Sequence, residues 1–416
     1  MADEISVKSI DDAAARVNGV VSRIPLWFSE RLSREYGAKI YLKREDLQEV
    51  RSYKIRGAYN LMSSLSPSQR KNGVVCASAG NHAQGVAFSA FHLKIKAVVF
   101  MPITTPLQKI SRVNAFGGKW VETRLVGQNY DETYKVAKEY CNSVGATFAH
   151  PFDDYKIMSG QGTIAKEIYD EIGPKADYIV CPIGGGGLIS GVSTYMKAKS
   201  KRTRIIGAEP FGSPSMYESI RQGKPITLEK IDTFVDGAAV RSAGKKTFKI
   251  VNELVDNIFL AEEGKVCTTM IELYQNEGIV VEPAGALSIS VLENMQGKLK
   301  GKTIVCILSG GNNDILRYPE VMERSLIHKG LKHYFIIEFA QKPGQLRNFV
   351  NSILGPTDDI ARFEYIKKTS KETGPALVGI ELIKKEDLEP LLARMDKIGI
   401  TYMQITDNDL LYNYII

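Results

Sequence analysis

Through its first three hundred residues the chain alternates short β-branched runs with amphipathic stretches, and that alternation leaves few folds open. GVVCA (73–77) precedes the small-residue stretch NHAQGVAFSAFHL, and KAVVFMP (96–102) precedes a segment ending at Phe116. YIVCPI (178–183) leads through a glycine run into LISGVSTYM, apolar at Ile189, Val192 and Met196. RIIGAEP and TIVCILSGGNND complete the pattern. Strand, crossover helix, strand is the signature of a largely parallel sheet covered on both faces, so an α/β class is expected. Ligands of such sheets collect where strands end and helices begin.

After Tyr318 the character changes. HYFIIEFA (333–340) reads as a strand, and PGQLRNFVNSIL as a helix with Leu346, Phe349, Val350, Ile353 and Leu354 at helical spacing. DIARFEYIKK and ALVGIELIK are two more strands joined by the turn-rich TSKETGP. EDLEPLLARMDKIG is a second helix, apolar at Leu388, Leu391, Leu392 and Met395, and ITYMQI closes the chain's last element. Strand-helix-strand-strand-helix-strand is the ferredoxin-like α+β order. A boundary near 320–332 follows, dividing residues 1–325 from residues 331–416.

Composition narrows the function classes. No run of about eighteen apolar residues occurs, so no membrane span is expected. The opening MADEISVKSIDDAAARVNG has neither an apolar signal core nor transit-peptide character, which predicts a cytoplasmic protein. Cys76, Cys141, Cys181, Cys267 and Cys306 are scattered without a C-x-x-C pair, so neither a disulfide framework nor a zinc site is indicated. The net charge of +7 belongs to the first 330 residues, because 331–416 holds eleven basic and twelve acidic residues. No basic block with interleaved aromatics appears, which argues against nucleic acid as a partner. His82, His92, His150, His328 and His333 form no paired-ligand spacing, and Ser78 and Ser309 lack the G-x-S-x-G elbow.

Three glycine-bearing corners remain. SAGNHAQG (78–85) follows a strand and opens a helix, where unpaired N–H groups can meet an anion; the plain alternative is a tight turn capped by Ser78. GGGGLISG (184–191) also lies between strand and helix. Four consecutive glycines are costly in chain entropy, and a nest of N–H groups around a phosphate explains them better than a turn does. The spacing matches neither G-x-G-x-x-G nor a Walker loop, so the phosphate would belong to something other than NAD or ATP. In CILSGGNND (306–314), Ser309 ends a strand, where it could cap a helix or hydrogen-bond a ligand's ring nitrogen.

Lys54, in SYKIRGAYN (52–60), lies near an expected helix N-terminus, whose dipole disfavours its ammonium form. A phosphate cradle without a nucleotide motif suits a phosphorylated aldehyde cofactor, which needs a lysine; pyridoxal phosphate is the common one.

SYKIRGA, SAGNHAQG, PIGGGGL and ILSGGN, in this order and spacing, resemble the serine/threonine dehydratases of the second pyridoxal-phosphate fold type, as do HPFDD (150–154), SGQGT (159–163) and VEPAGA (281–286). KPGQLRNFV, DDIARFEYIKK and GPALVGIEL resemble the single ACT-like regulatory domain of short biosynthetic members that feed isoleucine synthesis. The resemblance implies a two-lobed, tryptophan synthase β-like catalytic part over 1–325 and the regulatory domain over 331–416. It also implies a homotetramer. By position, Lys54 would carry pyridoxal 5'-phosphate, and Gly184, Gly185, Gly186, Gly187 and Leu188 would cradle its phosphate. Asn81 would meet the ring hydroxyl and Ser309 the ring nitrogen. The backbone of Ser78, Ala79, Gly80, Asn81 and His82 would receive the substrate carboxylate. L-Threonine would lose its β-hydroxyl as water, and hydrolysis of the resulting aminocrotonate would return that water and release 2-oxobutanoate and ammonia. L-Serine would react more weakly, and isoleucine would act as effector.

Two departures from the family pattern matter. Members that racemise serine carry a second serine where this chain has Ala79, so poor racemisation is expected. Relatives that bind a divalent cation after a Glu-Pro pair carry a later acid, whereas GAEPFGSPS offers only Glu209, and no metal is expected. The rival readings are a serine dehydratase or β-replacement enzyme on the same fold, and a catalytically inert amino-acid sensor.

Overall fold

The computed structural model describes residues 4–365 and 372–405. The chain divides into two compact units between Asp314 and Ile315.

The first unit holds two sheets. The smaller runs Val121–Leu125, Ala97–Met101, Val74–Ala77, Thr147–Phe148, parallel throughout. The larger runs Trp27–Phe28, Lys39–Arg44, Thr303–Leu308, Tyr178–Pro182, Arg204–Pro210, Asn257–Ala261; only Trp27–Phe28 is antiparallel to its neighbour. Val74–Ala77 and Tyr178–Pro182 are buried at every position, which is why they read as unbroken apolar runs without alternation. Ile189, Val192 and Met196 lie in the core under the larger sheet, together with Ile179, Ile205 and Val305.

The stretch SGQGT (159–163) is a packing device. It lies within helix Tyr155–Ile172, which Asp154 caps by accepting from the Lys156 and Ile157 N–H groups. A Cβ at Gly160 would stand 2.5 Å from the Arg56 carbonyl oxygen, so helix Lys54–Ser63 approaches closely enough that only glycine fits. The same long helix packs on its other side against helix Gly187–Lys199. The Lys54 and tetraglycine helices are thereby fixed to one support.

The second unit contains an antiparallel sheet in the order Asp359–Tyr365, Thr373–Glu381, Lys332–Ala340, Tyr402–Gln404, with helices Gln345–Ser352 and Leu388–Lys397. This is the ferredoxin-like order expected from the sequence. Residues 366–368 of the expected strand DIARFEYIKK, and 369–371 of the turn after it, lie outside the described residues. The expected helix reaching Leu354 ends at Ser352, and its two turns bury one face only: Phe349 is inside while Leu346 and Val350 face solvent. Helix Tyr318–His328 groups with this unit, because Glu323 accepts from Tyr334 Oη at 2.6 Å and from Lys332 Nζ at 2.7 Å. The division therefore falls before the helix that the sequence placed ahead of residue 331.

Candidate active site

Lys54 is the first residue of helix Lys54–Ser63, at its positive end. Its side chain is half-buried, and Nζ donates to the Pro151 carbonyl at 3.1 Å. Burial lowers its pKa to about 8, against a smaller opposing pull from Glu282. An amine so placed is neutral far more often than a surface lysine.

Backbone pairing brings the corners to it. Tyr53 N–H donates to the Ser309 carbonyl at 3.1 Å, and Ser52 bridges Gly310, so SYK lies along the ILSGG corner. Ser309 does not cap a helix. It is buried, and its Oγ donates to the Ala284 carbonyl at 3.2 Å. Helix Asn81–Leu93 touches the same point, since a Cβ at Gly85 would lie 3.0 Å from the Lys54 carbonyl oxygen.

In the SAGNH corner, Gly80 is the N-cap of the helix and Ser78 is not; Ser78 Oγ instead accepts from Gly80 N–H at 3.2 Å. Ser78 N–H is taken by the Phe100 carbonyl at 3.0 Å. Among the described contacts, the N–H groups of Ala79, Asn81 and His82 are left for an anion. The His82 ring is buried and bonded through Nε2 to the Ala149 carbonyl at 2.8 Å. Burial and nearby Lys54 hold its pKa down to about 3, so the imidazole is neutral.

The tetraglycine loop meets HPFDD. The Phe152 ring lies directly against the Cα of Gly185, where any Cβ would collide with it, and Phe152 also packs against Gly187. Part of the glycine requirement is thus packing. Gly186 has φ +89° and caps helix Gly187–Lys199. Among the described contacts the N–H groups of Gly184, Gly185 and Gly186 have no backbone acceptor, and those of Gly187, Leu188 and Ile189 open the helix. The Leu188 side chain is core, so only its N–H is available. Thr247 Oγ1 donates to the Gly185 carbonyl at 2.6 Å, and Asp153 Oδ1 accepts from the Lys246 and Thr247 N–H groups at 2.9 and 3.1 Å, which holds the loop's outer side.

The residue that sequence reasoning missed is Glu282. VEPAGA was singled out as a segment, but not its carboxylate. Glu282 is buried and accepts from Asn81 Nδ2 at 2.6 Å through Oε1 and from the Asn312 N–H at 3.2 Å through Oε2. Burial, and next Asp236, push its pKa up to about 7. A lone acid in the apolar run IVVEPAGALSI was the available signal. Glu209, by contrast, uses both oxygens on the Met216 and Tyr217 N–H groups, each at 2.8 Å. All five cysteines are buried, and burial pushes the Cys76 thiol up to about 12.

The donor set fits a phosphorylated aldehyde bearing a ring hydroxyl and a ring nitrogen. N–H groups without a backbone acceptor among the described contacts stand at one helix start and a low-pKa amine at another, and the Asn81 carboxamide and the Ser309 hydroxyl complete the set.

Comparison with known proteins is consistent with this chemistry. The pyridoxal-phosphate dependent enzyme family matches residues 17–310, and the C-terminal regulatory domain of threonine dehydratase matches residues 323–415. The biosynthetic L-threonine dehydratase of Halalkalibacterium halodurans is 51% identical over 413 residues, spanning 99% of this chain and 100% of that one. The one from Bacillus subtilis is 52% identical over 412 residues, spanning 99% and 98%. Among solved structures, the processed form of threonine deaminase isoform 2 from Solanum lycopersicum aligns with a TM-score of 0.73 at 39% identity, covering 76% of this chain and 92% of that one. Maize serine racemase aligns with a TM-score of 0.71 at 33% identity, covering 78% and 98%.

Proposed function

The chain belongs to the pyridoxal-phosphate-dependent enzymes, and from that premise we propose that Lys54, Asn81, Gly184, Gly185, Gly186, Gly187, Leu188 and Ser309 are its cofactor-holding residues. It is a lyase, an L-threonine dehydratase converting L-threonine to 2-oxobutanoate and ammonia. As a biosynthetic enzyme of this kind it takes the first committed step toward isoleucine.

When bound, pyridoxal phosphate supplies the electron sink that stabilises negative charge at the substrate Cα and lets the β-hydroxyl depart. The rest falls to side chains and backbone. Lys54 would hold the group through Nζ, and as a neutral amine it would take the Cα proton of the bound substrate. The Pro151 carbonyl, accepting one Nζ hydrogen, aims the amine. The N–H groups of Gly184 to Leu188 receive the phosphate, supported by the helix dipole. Those of Ala79, Asn81 and His82 receive the substrate carboxylate. Ser309 Oγ would be the neutral partner of the ring nitrogen, its hydrogen turning from the Ala284 carbonyl, and Asn81 Nδ2 would meet the ring hydroxyl. The observation that carries this reading is Lys54: an amine at a helix start, lowered to about 8 by burial.

Residues 1–325 are proposed as catalytic and 331–416 as regulatory. Isoleucine bound to the regulatory domain favours a state of low substrate affinity. L-Serine reacts more weakly, since a missing methyl is worth about 1–3 kcal/mol of discrimination. A cytoplasmic homotetramer is proposed; no helix of the described residues is long and apolar enough to cross a membrane.

The test is a ketoacid assay with threonine, with and without isoleucine, on wild type and Lys54→Ala in parallel. Product from a yellow wild type, with none from the variant, supports the assignment. Undiminished product from the variant would overturn it.

A further inference from the structure

Asn81 and Asn312 belong to a hydrogen-bonded chain whose polarity runs one way. Arg112 Nη1 donates to Asn312 Oδ1 at 2.7 Å, and a guanidinium cannot accept. Asn312 Nδ2 donates to the Val50 carbonyl at 2.8 Å, and a carbonyl cannot donate. The Asn312 amide is therefore fixed from both sides. Its other Nδ2 hydrogen goes to Asn81 Oδ1 at 2.7 Å, which turns Asn81 Nδ2 toward Glu282 Oε1 at 2.6 Å. Reversing the Asn81 amide would set amino group against amino group and oxygen against carboxylate, both in a partly buried place.

Asn81 Nδ2 carries a second hydrogen, and neither neighbour takes it. We propose that Asn312 and Glu282 are positioning residues that lock Asn81 as a donor toward the ring hydroxyl of the cofactor, so that the ring oxygen is held in its ionised form. The inference rests on the cofactor reading above and names what sets the protonation state at that site. Other charged groups within influence of Glu282 are Asp236, Lys109 and Lys54, while Arg51 acts on Arg112 at the outer end of the chain. A donor to an oxyanion lowers the pKa of that oxygen, and an acceptor in its place raises it.

The experiment records the visible absorption of the holoenzyme across pH for wild type, Asn312→Asp, Asn312→Leu and Arg112→Gln. Asn312→Asp replaces a donating amino group with an acceptor, so two carboxylates compete for Asn81 Nδ2 and the amide no longer holds one orientation toward the ring. The chromophore's titration midpoint then rises by about one to two units, a ten- to hundred-fold gain in proton affinity. Asn312→Leu removes the donor to Asn81 Oδ1 without adding charge; Glu282 still holds Nδ2, so the rise is smaller than for Asn312→Asp, and its presence separates amide orientation from field. Arg112 is exposed, so Arg112→Gln folds even where the position-312 variants do not, and it gives a smaller rise because a carboxamide can both donate and accept. Coloured position-312 variants with the wild-type midpoint would overturn the inference, as would an unshifted Arg112→Gln where it alone folds. A colourless wild type reconstituted with pyridoxal phosphate overturns the cofactor reading itself, and the inference with it.

Discussion

Arg56 and Glu45 meet as a two-point ion pair with neither side chain exposed: Nε donates to Oε2 and Nη2 to Oε1, both at 2.8 Å. Arg56 sits two residues after Lys54 on the same helix and also reaches Glu167 Oε1 at 2.7 Å and Thr163 Oγ1 at 3.0 Å. Glu167 in turn takes Lys43 Nζ at 2.6 Å. The lysine helix is thus held by a continuous run of ion pairs, Lys43 to Glu167 to Arg56 to Glu45.

Arg56→Met leaves Glu45 buried with no cation and only the Gln48 carboxamide donating to it at 3.2 Å, a loss of about 3–5 kcal/mol for a broken buried pair. Arg56→Met with Glu45→Met removes both charges and regains most of that loss. Urea midpoints of the two variants, measured beside wild type, check it; equal midpoints would show that the pair contributes nothing.

Lys54 makes the apo chain less stable at neutral pH. Its folded pKa of about 8 lies below the ordinary lysine value near 10.5, so the unfolded chain binds more protons between those pH values. Stability rises as pH rises through that window, and the penalty is fully present below about 8. Lys54→Met therefore raises the apo melting temperature at pH 7 and flattens its climb toward pH 10. In wild type, capture of pyridoxal phosphate by the apo chain quickens with a midpoint near the same pH. Calorimetry and stopped-flow absorbance read the two effects.

The two reasons for glycine at 185 can be separated. Gly185→Ala collides with the Phe152 ring, and overpacking of this kind costs about 1–3 kcal/mol. Phe152→Ala added to it relieves the collision and restores the melting temperature. If the N–H groups there hold phosphate, the double variant still binds the cofactor at least tenfold more weakly than Phe152→Ala alone. Full recovery of affinity would make the tetraglycine a packing feature only.

Truncation should respect the helix Tyr318–His328. A chain ending at residue 330 leaves Glu323 without Lys332 and Tyr334, whereas one ending at Asp314 removes the helix with its partners. The Asp314 chain is expected to retain turnover and lose every isoleucine effect. Inhibition that survives the cut would place the effector elsewhere.

The site was readable in sequence where its residues are announced by local backbone geometry. Lys54, Asn81, the glycine run and Ser309 each stand at a strand or helix end, and strand-helix alternation alone locates such corners. Glu282 was not readable in the same way, since its meaning lies in Asn81, 201 residues away along the chain. Asn312 sat within a recognised corner, yet nothing in GGNND says which amide turns to which neighbour. Among strands, the buried apolar runs were evident, while Lys39–Arg44 was not, because its lysines and arginine hide a strand whose fully buried Ile40 and Leu42 alternate with them. Lys43 is itself buried, held by Glu167 and the Ile24 carbonyl. Ser78 looked like a helix cap and instead closes the turn just before one.

The pairing of Lys39–Arg44 with Thr303–Leu308 also sets a timetable for synthesis. Residues 74–148 contain the whole smaller sheet, which can assemble soon after it leaves the ribosome. The larger sheet cannot: an early strand waits for a partner translated more than two hundred and fifty residues later, with its backbone edge unpaired meanwhile. Chaperone dependence of the nascent chain should therefore fall abruptly once residue 308 has emerged, and not gradually with length.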